Sequence, residues 1–574
     1  MITMQWSMVL VLCALAMVSV VTGQQSVEVT TPFGAVRGLR TALDHQSYVD
    51  TFFKIPYAKP PIGDLRFKVP EHPDAWSGVR DGTQFGPQCP QPIDTYVLPY
   101  QVFPQSEDCL FLNIYRPQVT DPDTRLPVMV WIHGGAFFMG TGNRFNWTQL
   151  AANGVVVVTV DYRLGPLGFL CTEDGESPGN YGLYDQVMAL KWVRDVISAF
   201  NGNPTNVTIF GESAGGASVS LLVLSREARG LFQRAIMESG VSLSPWTMSY
   251  RGAFPEPKAQ AVELSTRLGC DVTDSARMLQ CLRTKDAQEI TNVSIVMEQA
   301  VGTVPIFRPV AETTFGQFGF LVANPETILL NNWFSDVPTL RGFNHDEAAL
   351  GWQDKNDDGF TLDEVKQKVQ WLVKTYFSRT GFPVASDNVF QEAMDLYINQ
   401  PGVSGDPRKM RDAVVQMYTD LEFSAPEMLE LQLATQHNIQ PQYLYRFTYR
   451  SQNRMTPKWQ GVVHVDELPY VSGAPVGGIQ ALPNYVSSWT ADDIRVSRDF
   501  MTMWSNFAKN GDPTPSPVDG AKWLPWTQNT SQLLNIGSTL RMISYPGTPQ
   551  QAFWKRTLSH AHFGTTVGGS GIIG

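Results

Sequence analysis

Val207 to Gly216 reads VTIFGESAGG and leads straight into the largely apolar run Ala217 to Leu224. The first four residues are β-prone and offer no polar face, as a strand buried on both sides requires. The run beyond Gly216 suits a helix. Between them, Gly211 to Gly215 form G-x-S-x-G. In a strand–turn–helix context the glycines permit a tight, strained turn that lifts the Ser213 hydroxyl to the sheet's edge, beside the positive end of a helix. The segment predicts an α/β architecture and a nucleophile, Ser213.

Two more all-apolar runs lie upstream, Leu126 to Ile132 (LPVMVWI) and Val155 to Val160 (VVVVTV). Between the second and Val207, Val187, Leu190, Trp192, Val193 and Ile197 recur at helical spacing within Tyr184 to Phe200. Strand, helix, strand is a βαβ unit, which predicts a large, mostly parallel sheet covered by helices on both faces. Val337 to Phe343 and Tyr443 to Tyr449 read as later strands of that sheet. Pro257 to Glu298, Leu362 to Phe377 and Pro407 to His437 read as helical.

The run Leu126 to Ile132 ends in His133-Gly134-Gly135-Ala136-Phe137. Acyl transfer needs backbone N–H groups aimed at the oxygen on which negative charge develops, and small residues let the backbone approach. Gly135, Ala136 and Ala214, the residue after the nucleophile, are the expected donors. His133 precedes the serine and is expected to be structural. In this chain order the acid and then the base follow the serine. His437 ends a helix, and His560 and His562 lie in a polar tail. His464, in Gly461-Val-Val-His464-Val-Asp466, sits in a loop beyond a strand and is the expected base. The acid is expected in Gly342-Phe-Asn-His-Asp346-Glu347, just past another strand. Spacing alone does not choose between Asp346 and Glu347.

Phe210 to Ser218 (FGESAGGAS), Ser106 to Tyr115 (SEDCLFLNIY), Val130 to Phe137 (VWIHGGAF) and Gly179 to Gln186 (GNYGLYDQ) closely resemble the cholinesterase/carboxylesterase family. The resemblance runs from about Val27 to about Trp554. It implies an α/β-hydrolase fold in one large domain, a Ser-Glu-His triad in a deep gorge, and Glu347 as the acid of its N-x-D-E pattern. It also supports disulfides Cys89–Cys109 and Cys270–Cys281, which close spacing already makes natural pairs. Cys171 is then a free thiol. Cholinesterases place a Trp between the first two of these cysteines, where it stacks on quaternary ammonium. Here that interval holds only Tyr96, Tyr100 and Phe103 as aromatics. With Val241-Ser-Leu-Ser-Pro-Trp246 resembling the bile-salt-activated lipase and carboxylesterase branches, uncharged esters are the expected substrates, small or lipid-like. The alternatives are a cholinesterase and a neuroligin-like member, a kind that keeps the fold and lacks the nucleophile.

Composition is compatible with this. The 574 residues are 43% hydrophobic and 17% charged, which is globular. A net charge of −11 without basic blocks argues against nucleic-acid partners. Residues 1–23 read as a secretory signal, with an apolar run from Met8 to Val21 and small residues at Val21-Thr-Gly23. Secretion follows, and no membrane anchor is expected. Residues 24–560 form the predicted hydrolase domain, and 561–574 a disordered tail. Sequons at Asn146, Asn292 and Asn529 are expected to carry glycans. Asn206-Val-Thr, entering a core strand, is expected not to. Asp354 to Phe360 copies half of an EF-hand loop. Position 12 is Val365 instead of a bidentate Glu, so an acidic turn is expected. No metal or organic cofactor is expected.

Overall fold

The computed structural model describes residues 25–43, 47–92, 103–249, 256–301, 306–312, 319–377, 386–437, 439–479 and 485–563. The proposed signal, Tyr96 and Tyr100 lie outside them. One sheet of 13 strands organises the rest. In chain order these are β1 (Gln25–Thr31), β2 (Gly34–Ala42), β3 (Tyr48–Pro56), β4 (Val79–Asp81), β5 (Phe111–Pro117), β6 (Leu126–Ile132), β7 (Val156–Val160), β8 (Gly202–Glu212), β9 (Arg234–Glu238), β10 (Thr339–Asn344), β11 (Gln442–Phe447), β12 (Gln532–Ile536) and β13 (Leu540–Ser544). Their order across the sheet is β1-β2-β3-β5-β7-β6-β8-β9-β10-β11-β12-β13, with β4 beside β2. From β7 to β12 every neighbouring pair is parallel. The flanks are antiparallel apart from the β2–β4 pair.

The apolar runs become the centre of the sheet because both faces are covered. Strand side chains alternate in direction. Val128, Val130 and Ile132 therefore join one core, together with Val187, Leu190 and Val193 of α1 (Tyr181–Val196) and Leu221 of α2 (Ala214–Leu224). Met129 and Trp131 join the opposite core, which also takes Phe500, Trp504 and Phe507 from a late helix, Ala491–Asn510. A run with a polar side could not be buried twice in this way.

The expected helices form with adjusted ends. Leu362–Phe377 is α3. Pro407 to His437 is two helices, α4 (Pro407–Thr419) and α5 (Ala425–Thr435), joined by one π-helical turn, Asp420–Ser424. Pro257 to Glu298 divides into three helices. The last helix is Pro549–Phe563, which contains His560 and His562, and residues 564–574 of the proposed tail lie outside the described residues. Cys89–Cys109 and Cys270–Cys281 are bonded, and Cys171 is free and buried. The half EF-hand is closed by protein charge. Asp354 Oδ2 and Asp357 Oδ1 both receive Arg411 Nη1, at 2.7 and 2.6 Å, so a guanidinium stands where a cation would sit.

Candidate active site

Strand β8 delivers Ser213 onto a backbone conformation that side chains rarely adopt, φ +59° and ψ −125°. Two bonds hold it there. Ser213 N–H donates to Glu238 O at 2.8 Å, and its carbonyl accepts from Ala217 N–H at 2.8 Å. Strain of this kind persists only where the surroundings over-determine it. Gly215 shows how close they are: a Cβ there would lie 2.0 Å from Ile132 O. The turn is thus wedged against β6, the strand that carries the next loop.

That loop keeps three successive residues at positive φ: Gly135 at 110°, Ala136 at 55° and Phe137 at 63°. A Cβ on Gly135 would meet Met139 O at 2.1 Å. Gly135 O instead accepts from Phe138 and Met139 N–H, which curls the loop back on itself. Among the described residues, no acceptor takes the N–H groups of Gly135, Ala136 or Ala214. His133 is buried at the start of this loop. It stacks on Tyr162 at 4.4 Å and receives no donor at Nε2, and burial holds its pKa down at about 4.

The loops after β10 and β11 meet beside Ser213. His464 Nδ1 lies 2.7 Å from Glu347 Oε2, and the two backbones join through His464 N–H to Glu347 O at 3.1 Å. Glu347 is fully buried, and its other oxygen accepts Asn344 N–H at 2.6 Å. Asp346 faces elsewhere: its Oδ2 takes Val462 N–H at 3.0 Å, and Oδ1 lies 2.9 Å from His345 Nδ1. Of the two adjacent acids, Glu347 reaches the imidazole and Asp346 pins the loop leading to it. His437 is exposed beyond the end of α5.

The sequence reading passed over several carboxyl groups around His464. Its Nε2 lies 3.1 Å from Glu212 Oε1. Glu467, fully buried, accepts from Asn344 Nδ2 at 2.5 Å. Burial would by itself lower the His464 pKa. Glu212, Glu347 and Glu422 more than offset this and hold it up at about 9. Burial pushes Glu212 up to about 7 against the pull of His464, and pushes Glu467 well above the usual range, helped by Glu212. Glu212 was visible inside G-x-S-x-G, but nothing in that motif says that its side chain turns back towards a histidine from another loop.

Ser213, His464, Gly134, Gly135 and Ala136 line one cavity of about 360 Å³ with Trp131, Phe138, Phe145, Trp246 and Phe423. Among the described residues no group of three or more His, Cys, Asp or Glu is arranged to hold a metal.

Residues 25–554 match the model of the carboxylesterase family. The chain belongs to that family. Curated relatives include neuroligin-3 of Mus musculus, 33% identical over 590 residues that cover 93% of this chain and 69% of that protein. Neuroligin-2 of Homo sapiens is 33% identical over 588 residues, covering 93% and 68%. Family membership accounts for the mixed sheet and its surrounding helices. It leaves open which members of the family this chain resembles in chemistry.

Proposed function

We propose that this carboxylesterase-family chain is a secreted serine hydrolase of carboxylic esters. The reading is carried by the Glu347–His464 pair, which opens on the cavity lined by Ser213. In this mechanism His464 takes the Ser213 proton through Nε2 as the hydroxyl attacks the ester carbonyl. Glu347 holds the ring's tautomer and stabilises its charged form. The N–H groups of Gly135, Ala136 and Ala214 receive the oxyanion. His464 then protonates the leaving alcohol, and water releases the acyl group by the same route. The chemistry draws on no cofactor. The aromatic cavity walls accept an uncharged acyl or alcohol chain, small or lipid-like.

The half-exposed Ser213, set in an otherwise buried turn, supports the same role, because burial without access would serve packing alone. Two disulfides fit an oxidising compartment. Asn146, Asn292 and Asn529 are exposed, as glycan acceptors must be. Among the described residues no helix is long and apolar enough to cross a membrane.

The neuroligin relatives favour a second reading, a binding protein on a hydrolase scaffold. Hydrolysis of short-chain p-nitrophenyl esters by wild type and Ser213→Ala separates the two. Activity abolished in a folded Ser213→Ala protein supports the hydrolase. A folded wild type inert over several acyl lengths supports the binding protein.

A further inference from the structure

The π-helical turn Asp420–Ser424 interrupts what would otherwise be one continuous helix from α4 to α5. Such turns add a residue to the helical repeat and frequently mark functional sites. This one is locked from behind. Asp420 accepts from Ser424 Oγ at 2.7 Å and from Tyr397 OH at 2.8 Å, and Gln551 Nε2 donates to Ser424 Oγ at 2.7 Å. On its other side, Glu422 and Phe423 line the cavity that holds Ser213 and His464. Phe423 lies 4.9 Å, centroid to centroid, from the His464 ring.

Glu422 is half-buried, its accessible part facing that cavity. One carboxylate oxygen, Oε1, accepts from Tyr376 OH at 2.8 Å. Among the described residues no donor reaches the other. That second oxygen opens on the cavity, where an entering N–H can pair with it. Burial of the group as a whole pushes it up to about 7, although Tyr376 and the charge of His464 pull it down. Trp246 stands beside it, its indole N–H donating to Glu422 O at 3.1 Å and its ring 6.1 Å from Phe423. Arg144 also lines the cavity, but its charge acts on Glu212 and His133.

We infer that Glu422 is a specificity residue whose free carboxylate oxygen receives an N–H from a protonated amine on the ester substrate, flanked by the rings of Trp246 and Phe423. A carboxylate supplies the charge-assisted hydrogen bond, and the aromatic faces favour the cation. The neutral part of the substrate lies along the apolar walls. This rests on the esterase reading for its kinetic arm only, and revises the substrate from an uncharged ester to one that also carries a protonated amine.

The test compares 2-(dimethylamino)ethyl butyrate, protonated at pH 7.5, with 3-methylbutyl butyrate, in which carbon replaces the ammonium nitrogen. Hydrolysis is followed by pH-stat in wild type, Glu422→Gln and Tyr376→Phe. Glu422→Gln is nearly isosteric and can still accept from Tyr376, and thermal melting checks its fold. Wild type is expected to prefer the amine ester in kcat/KM. That preference is expected to fall about tenfold to hundredfold in Glu422→Gln, mainly through KM, as loss of one charge-assisted hydrogen bond implies. Tyr376→Phe, which keeps the carboxylate, is expected to retain the preference. An unchanged preference in folded Glu422→Gln overturns the inference, as does a wild type with no preference.

A calorimetric titration with N,N-dimethylbutylammonium chloride reads the site without chemistry. Binding weakened in Glu422→Gln sustains the inference even if neither ester is hydrolysed, in which case only the esterase reading falls. Equal binding by both proteins refutes it.

Discussion

Replacing Glu347 by Gln tests the centre of the proposed mechanism with almost no change of shape. Asn344 N–H holds Oε1 at 2.6 Å, and His464 Nδ1 lies against Oε2 at 2.7 Å. In the variant, the amide oxygen stays on the Asn344 donor and the NH₂ group faces Nδ1. The imidazole proton is then forced onto Nε2, which has no lone pair left to receive the Ser213 proton. The variant also loses the negative charge that stabilises imidazolium. For a tautomer error of this kind the loss in kcat is about 10⁴-fold, or about 5.5 kcal/mol at 1.36 kcal/mol per decade. Asp346→Asn is the matched control. Its Oδ2 holds Val462 N–H, so it is expected to cost about 1–2 kcal/mol of stability and only a few-fold in rate. Both variants are assayed on p-nitrophenyl butyrate, with active-site titration and thermal melts. A folded Glu347→Gln that loses less than tenfold would refute the reasoning, and so would a larger loss in Asp346→Asn.

A base must be neutral to accept a proton, and nearby carboxylates hold His464 up at about 9. Under the proposed mechanism kcat/KM should therefore rise with pH along a limb centred above the ordinary histidine value of about 6.5. Glu212→Gln, which removes one of those charges, should move the limb to lower pH; a limb that stays put in a pH–rate profile argues against the Glu212 contact. Arg411 pairs with buried Asp354 and with Asp357, so Arg411→Ala should lower unfolding stability by about 3 kcal/mol. Melts of wild type in calcium and in chelator should coincide, and a calcium-dependent rise would disprove the assignment of that loop to arginine. Peptide mass spectrometry of the protein expressed through a secretory pathway should find glycans at Asn146, Asn292 and Asn529 and none at Asn206, a half-buried strand residue that accepts from Arg234. Occupancy at Asn206 would contradict that environment.

The middle of the sheet was legible because strands buried on both faces must be apolar throughout, and β6, β7 and β8 are. The edges were not. β1 has the half-exposed pattern of a flank strand, and β12 and β13 are five residues each, too short and mixed to stand out. Within the site, Ser213 and its turn were readable from contiguous residues. So was the loop from Gly134 to Phe137, because tight turns and close approach demand glycine locally.

The amino-acid sequence by itself determined the parallel core, the strained serine turn, the curled glycine loop and, with the family pattern, the choice of Glu347 and His464 as the proposed acid and base. Each is written in neighbouring residues whose physical demands are local. Only the tertiary structure decided what surrounds His464. Glu212 turns to it from β8, and Glu422 enters the cavity from a π turn that no periodicity announces. These are relations between residues distant along the chain. Burial and charge at such places depend on how the elements pack, which no single segment encodes.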